Sequence, residues 1–116
     1  MERVRMVLDL LPTMKEGLDY VDSKLRSYDL DGAAPVFRDT LEALEVVERT
    51  MRQLAEEKKV KWRKGPNLEK ALEQLVTAWE AGDATKTLEF YHSAVKPAFS
   101  SWRKRVEKSL LPLTQM

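Results

Sequence analysis

The feature that most constrains this chain is an internal echo. An apolar pattern met in the first half returns 54 positions later in the second. Pro12 aligns with Pro66, Met14 with Leu68, Leu18 with Leu72, Val21 with Leu75 and Leu25 with Trp79. The match runs on through Asp29 with Asp83, Val36 with Phe90, Phe37 with Tyr91 and Leu41 with Val95. Within each half the apolar residues fall three and four apart, the period of a helix with one buried face. Two helical hairpins of like design are therefore expected to share one core. The expected fold is all-α, an antiparallel up-down-up-down four-helix bundle, with residues 1–116 as one helical-bundle domain.

The punctuation sets the predicted helices at about 2–28, 31–61, 67–81 and 84–110. Pro12 lies inside the first and, lacking an amide donor, is expected to kink it or to start a new helix. Tyr28-Asp29-Leu30-Asp31-Gly32 forms the first turn, with Asp29 capping the next helix and Pro35 near that helix's first turn. The inward face of helix 2 reads Ala34, Phe37, Leu41, Leu44, Val47, Met51 and Leu54. Its outer face carries Arg38, Glu42, Glu45, Glu48, Arg49, Arg52 and Glu56. Gly65-Pro66 ends the first hairpin. Helix 3 is expected to bury Leu68, Ala71, Leu72, Leu75, Ala78 and Trp79. Gly82-Asp83 opens helix 4, which is expected to kink at Pro97, leaving the Ser93 carbonyl without its usual partner, and to stop at Leu111-Pro112-Leu113.

Composition narrows the function. There is no cysteine, so no disulfide framework and no thiolate metal site. Charged residues make up 34%, and no apolar run approaches the ~18 residues of a membrane span. The opening Met1-Glu2-Arg3-Val4-Arg5-Met6 mixes charge signs and lacks a signal-peptide core, so a cytoplasmic location is expected. Net charge is +1, giving no overall pull toward nucleic acid. The charge is nevertheless segregated. Residues 30–57 hold seven acids against three bases, and residues 58–64 hold five bases and no acid.

No catalytic, cofactor-binding or metal constellation is expected. Glu89 and His92 have the spacing of one carboxylate-bridged di-iron half-site, but the chain has a single histidine. Ser27 to Gly32 resembles the opening of a calcium loop, yet Pro35 and Arg38 stand where later ligands belong. No Gly-x-Ser-x-Gly turn presents a nucleophile and no glycine-rich loop cradles phosphate.

Two basic clusters each adjoin a tryptophan. Lys58, Lys59, Lys61, Arg63 and Lys64 surround Trp62, while Arg103, Lys104 and Arg105 follow Trp102. Parallel helices 2 and 4 would place both at one end, where they could attract an acidic protein segment or, as a weaker alternative, nucleic acid. The short third helix leaves its longer neighbours overhanging. Met6, Leu10, Val60, Trp62, Val106 and Leu110 are the expected partner-binding residues of that overhang.

With Ala81-Gly82-Asp83 joining two helices and Leu88-Glu89-Phe90 through Val95-Lys96-Pro97-Ala98-Phe99-Ser100-Ser101-Trp102 closing the bundle, the chain resembles the small bacterial flagellar export chaperones over about residues 13–110. That resemblance implies a helical bundle that holds an unfolded or helical export substrate on apolar surface. The expected function is a non-catalytic protein-binding module, with a homodimerising structural bundle as the alternative.

Overall fold

The computed structural model describes residues 2–63 and 65–114. Every regular element among them is helical: α1 (Glu2–Arg26), α2 (Leu30–Glu56), α3 (Pro66–Glu80), and a fourth rod in three stretches. These are α4 (Ala84–Phe90), a π-helical turn (Tyr91–Val95) and α5 (Lys96–Thr114). The molecule measures 46 × 22 × 18 Å, its long axis set by the helix lengths.

Of the two outcomes expected at Pro12, a kink or a new helix, the second does not occur: α1 runs through the proline as one helix. Val4, Val7, Leu11, Met14, Leu18, Val21 and Leu25 form one unbroken buried stripe through it. An interior proline costs a helix about 3 kcal/mol. Each buried aliphatic side chain contributes roughly 1.5–3 kcal/mol, so the stripe outweighs the proline. The proline ring itself is exposed.

The sequence echo reappears as hydrogen bonds. α1 ends with Tyr28 at φ 57, its amide bonded to the Leu25 carbonyl and that of Asp29 to Lys24. α3 ends the same way, with Gly82 at φ 72, its amide bonded to Trp79 and that of Asp83 to Ala78. Both are Schellman closures, which satisfy the last carbonyls of a helix through one left-handed residue. Each is followed by an aspartate cap. Asp29 accepts from the Gly32 amide at 2.8 Å, and Asp83 from the Lys86 amide at 3.0 Å. Because α2 starts at Leu30, Pro35 lies in its second turn rather than its first, again on an exposed face.

Two predicted boundaries are corrected. Helix 2 was expected to reach residue 61, but α2 stops at Glu56 because Lys58 adopts φ 60 and closes a third Schellman motif, Lys59 donating to Leu54. The end at Leu111-Pro112 is passed, and α5 continues through Pro112 to Thr114. Leu110 is fully buried and Leu113 packs against the core, which holds this last turn in place. Around Pro97 the backbone is widened. The Lys96 amide donates to the Tyr91 carbonyl, five residues back, in the π turn just before the proline. Such a turn re-registers the ladder where proline supplies no donor.

α1 packs along α2, joined by a tight turn at one end and by Arg3 paired with Glu57 at the other. The approach is close: a Cβ on Gly17 would come within 2.6 Å of Thr40 Oγ1. α3 leans on the fourth rod, which also packs against α1. Trp102 and Tyr91 are the largest fully buried side chains.

Candidate functional site

α2 and α3 are consecutive helices, yet they touch only sparsely, because α3 packs toward α4, the π turn and α5. The result is an open groove of about 600 Å³ between them. Its floor is Leu41 and Leu44 from α2 with Leu68, Leu72 and Val76 from α3. Leu41, Leu44 and Leu72 carry the apolar period of core positions but are only half-buried. That corrects the expected burial of Leu72 and leaves the inward face at Leu41 and Leu44 partly open; periodicity marks a face as apolar without saying whether a neighbour closes over it. Below the floor an apolar crevice leads to Met14, Leu18, Val95 and Phe99. Among the described residues its rim carries Glu45, Glu48, Glu69 and Glu73, with Arg52 as the cation.

At one end of the groove stands a clasp that spacing alone did not reveal. Glu48, assigned from periodicity to the solvent face, accepts from both nearby indoles. Trp102 Nε1 donates to Oε1 at 2.6 Å, and Trp62 Nε1 donates to Oε2 at 3.2 Å. Trp102 is only 1% exposed, so this carboxylate is the partner that its buried N–H requires. Glu48 and Trp102 are equivalent positions of the 54-residue echo, the one signal that could have paired them.

The clasp holds down a non-helical strap, residues 57–63. Arg105 lies over the Trp62 ring, 4.9 Å from its centroid, and donates to the Arg63 carbonyl. Ser109 Oγ donates to the Lys61 carbonyl at 3.2 Å. At the start of the strap, two hydrogen bonds from Arg3 hold the Glu57 carboxyl down to about 2.

The strap overturns the predicted overhang. Val106 and Leu110 are fully buried and belong to the core. Val60 and Trp62 are half-buried and pack against it, because the chain folds back over the space a longer helix 2 would have left open. Leu10 is also half-buried against the core, and Met6 is 38% exposed on α1. These six residues do not form one exposed strip.

The two basic clusters do meet, through Arg105 against Trp62 and Arg63. Lys58, Lys59, Lys61 and Arg63 are exposed along the strap, as is Lys104 on α5. Arg103 pairs with Glu107 at 3.8 Å. Lys64 lies outside the described residues. A second depression, about 460 Å³ between α3 and α5, has a more polar wall of Asn67, Lys70, Gln74, Ser101 and Arg105.

His92 is half-buried, its Nε2 2.7 Å from Asp22 Oδ1 and 3.3 Å from an Arg26 nitrogen. Next to it the Tyr91 hydroxyl donates to the Leu18 carbonyl at 2.9 Å. Burial, reinforced by the charges of Asp22 and Asp19, pushes the Tyr91 phenol well above its usual range. Among the described residues no group of three or more histidine, cysteine or acidic side chains is placed to hold a metal ion. No described helix is long and apolar enough to cross a membrane.

Fold and groove together define a class: a small all-helical bundle with an acid-rimmed apolar cleft between its second and third helices. Residues 2–105 match the family described as Domain of unknown function (DUF8042), and the chain belongs to it. No curated protein and no solved structure matches the chain.

Proposed function

We propose that this chain is a non-catalytic protein-binding module whose α2–α3 groove receives an amphipathic helical segment of another protein. The observation that carries this reading is the half-burial of Leu41, Leu44 and Leu72 at core-patterned positions. An apolar floor left wet is a cost that a partner's apolar face removes. The walls are helices whose backbone groups are bonded within themselves, and no strand edge is present among the described residues. Recognition therefore rests on side chains, as when a helix lies in a groove, rather than on strand addition.

Helical rods alternating in direction suit such a groove, since each long element then borders two others. The resemblance to export chaperones, carried by the Gly82-Asp83 turn and the closing helix, supports a holding role in the cytoplasm. The basic end supports nucleic-acid binding less well. One face of Trp62 is taken by Arg105, and its indole N–H is spent on Glu48.

The test is a neutral amphipathic peptide with leucines three and four apart, titrated calorimetrically at several temperatures. Covering about 500 Å² of apolar surface gives a heat-capacity change near −0.2 kcal/mol/K. Leu44→Asp or Leu72→Asp, each with unchanged helical circular dichroism, should abolish binding. A peptide that fails to bind, or binds both variants as well as the parent, refutes the groove.

A further inference from the structure

Resting on that reading, we infer that the groove is selective for a cationic helix about three turns long. The groove spans Leu41 to Arg52 on α2 and, on the other wall, runs from Gly65 at the N-cap of α3 to Thr77 within it. At 1.5 Å per residue each wall is roughly 16–18 Å long, the length of an 11–12-residue helix.

The charge of the rim sets the sign of the partner. Glu45 and Glu73 stand on opposite walls, both exposed, and neither enters an ion pair among the described residues. A helix seated on the leucines brings its flanking positions to both walls at once. Lysine or arginine there meets carboxylates on two sides. Glutamate there meets like charge on two sides, which penalises the wrong partner as well as favouring the right one.

The occupant is a separate protein segment rather than the strap of a second copy. The strap has the right charge, but Val60 and Trp62 are packed against its own core, and the carbonyls of Lys61 and Arg63 are held by Ser109 and Arg105. Another groove could take it only after these contacts were broken.

Three peptides sharing the same leucine face test the inference, one with lysines on the flanks, one with glutamates and one neutral. Fluorescence anisotropy at low salt should rank the lysine peptide at least tenfold tighter than the glutamate peptide, with the gap closing as salt shortens the screening length to ~3 Å near 1 M. The double reversal Glu45→Lys/Glu73→Lys should invert that order while the neutral peptide binds as before. If the neutral peptide binds but the charged pair are equal, the charge inference fails and the groove survives. If none binds, the groove itself fails. Sedimentation across concentration supplies the last arm: a dimer abolished by Glu45→Lys/Glu73→Lys would overturn the assignment to a separate partner.

Discussion

Replacing Glu48 with leucine isolates what the tryptophan clasp contributes. The substitution removes the acceptor of the Trp102 indole N–H, which lies 2.6 Å from Oε1 in a residue that is 1% exposed. A buried donor left unpaired costs about 1–3 kcal/mol, and bonds to a charged group lie at the upper end. Trp62 is half-buried, so its N–H can turn to water and adds only a few tenths of a kcal/mol. The expected loss is therefore about 2–3 kcal/mol. The unfolding entropy, about 2.1 cal/mol/K per residue over 116 residues, makes 2 kcal/mol a fall of about 8 °C in Tm. Glu48→Gln keeps an acceptor for Trp102 and should lose less than about 1 kcal/mol. Urea unfolding followed by circular dichroism gives the free energies. Trp102→Phe made in the parent and in Glu48→Leu closes a double-mutant cycle, expected to show at least about 1 kcal/mol of coupling. A Glu48→Leu protein melting within about 2 °C of the parent, or a Trp102→Phe penalty equal in both backgrounds, would refute the reasoning.

Two pH dependences follow from the structure. Glu57, held to about 2 by Arg3, lends stability that is present above its ordinary value of 4.5 and lost as pH falls toward about 2. The parent's advantage over Arg3→Gln, read from urea midpoints at low ionic strength, should close across that window; it should be small, because the pair is exposed to solvent and salt. An advantage that persists undiminished below about pH 2 refutes this. Tyr91 works at the other end: its folded-state phenol is raised, so its contribution is complete below the ordinary value of 10.0 and is lost as pH climbs beyond it. Tyr91→Phe should cost about 1 kcal/mol at neutral pH through the bond to Leu18, yet lose less than the parent between pH ~9 and ~11. Parallel alkaline curves for the two proteins would remove Tyr91 as the cause.

Local chemistry was readable wherever a residue acts on its own neighbours. Asp29 and Asp83 cap because a short carboxylate reaches an amide three residues on, whatever the rest of the chain does. Gly82 closes α3 because a residue without Cβ enters the left-handed region freely. The same reasoning failed at Pro112, where local cost pointed to an end and the packing of Leu110 and Leu113 kept the helix going; at Pro12 it allowed a fresh start, and the buried stripe kept one helix. It failed again at Lys58. No rule of composition singles out a lysine for φ 60, and the place where α2 stops goes with Val60 and Trp62 packing against the core beyond it.

The sequence by itself determined that this chain is helical, that it is built from two like hairpins, and that most of one stripe on each helix is apolar. Periodicity, turn chemistry and repeat spacing are properties of nearest neighbours along the chain, so they survive without coordinates. Which apolar stripe stays open was settled only in three dimensions. α3 lies closer to the fourth rod than to α2, leaving Leu41, Leu44 and Leu72 half-buried as a floor, while Val106 and Leu110 are sealed in the core and Val60 and Trp62 of the strap pack against it. A hydrophobic face states that it must be covered; only the placement of whole helices says by what.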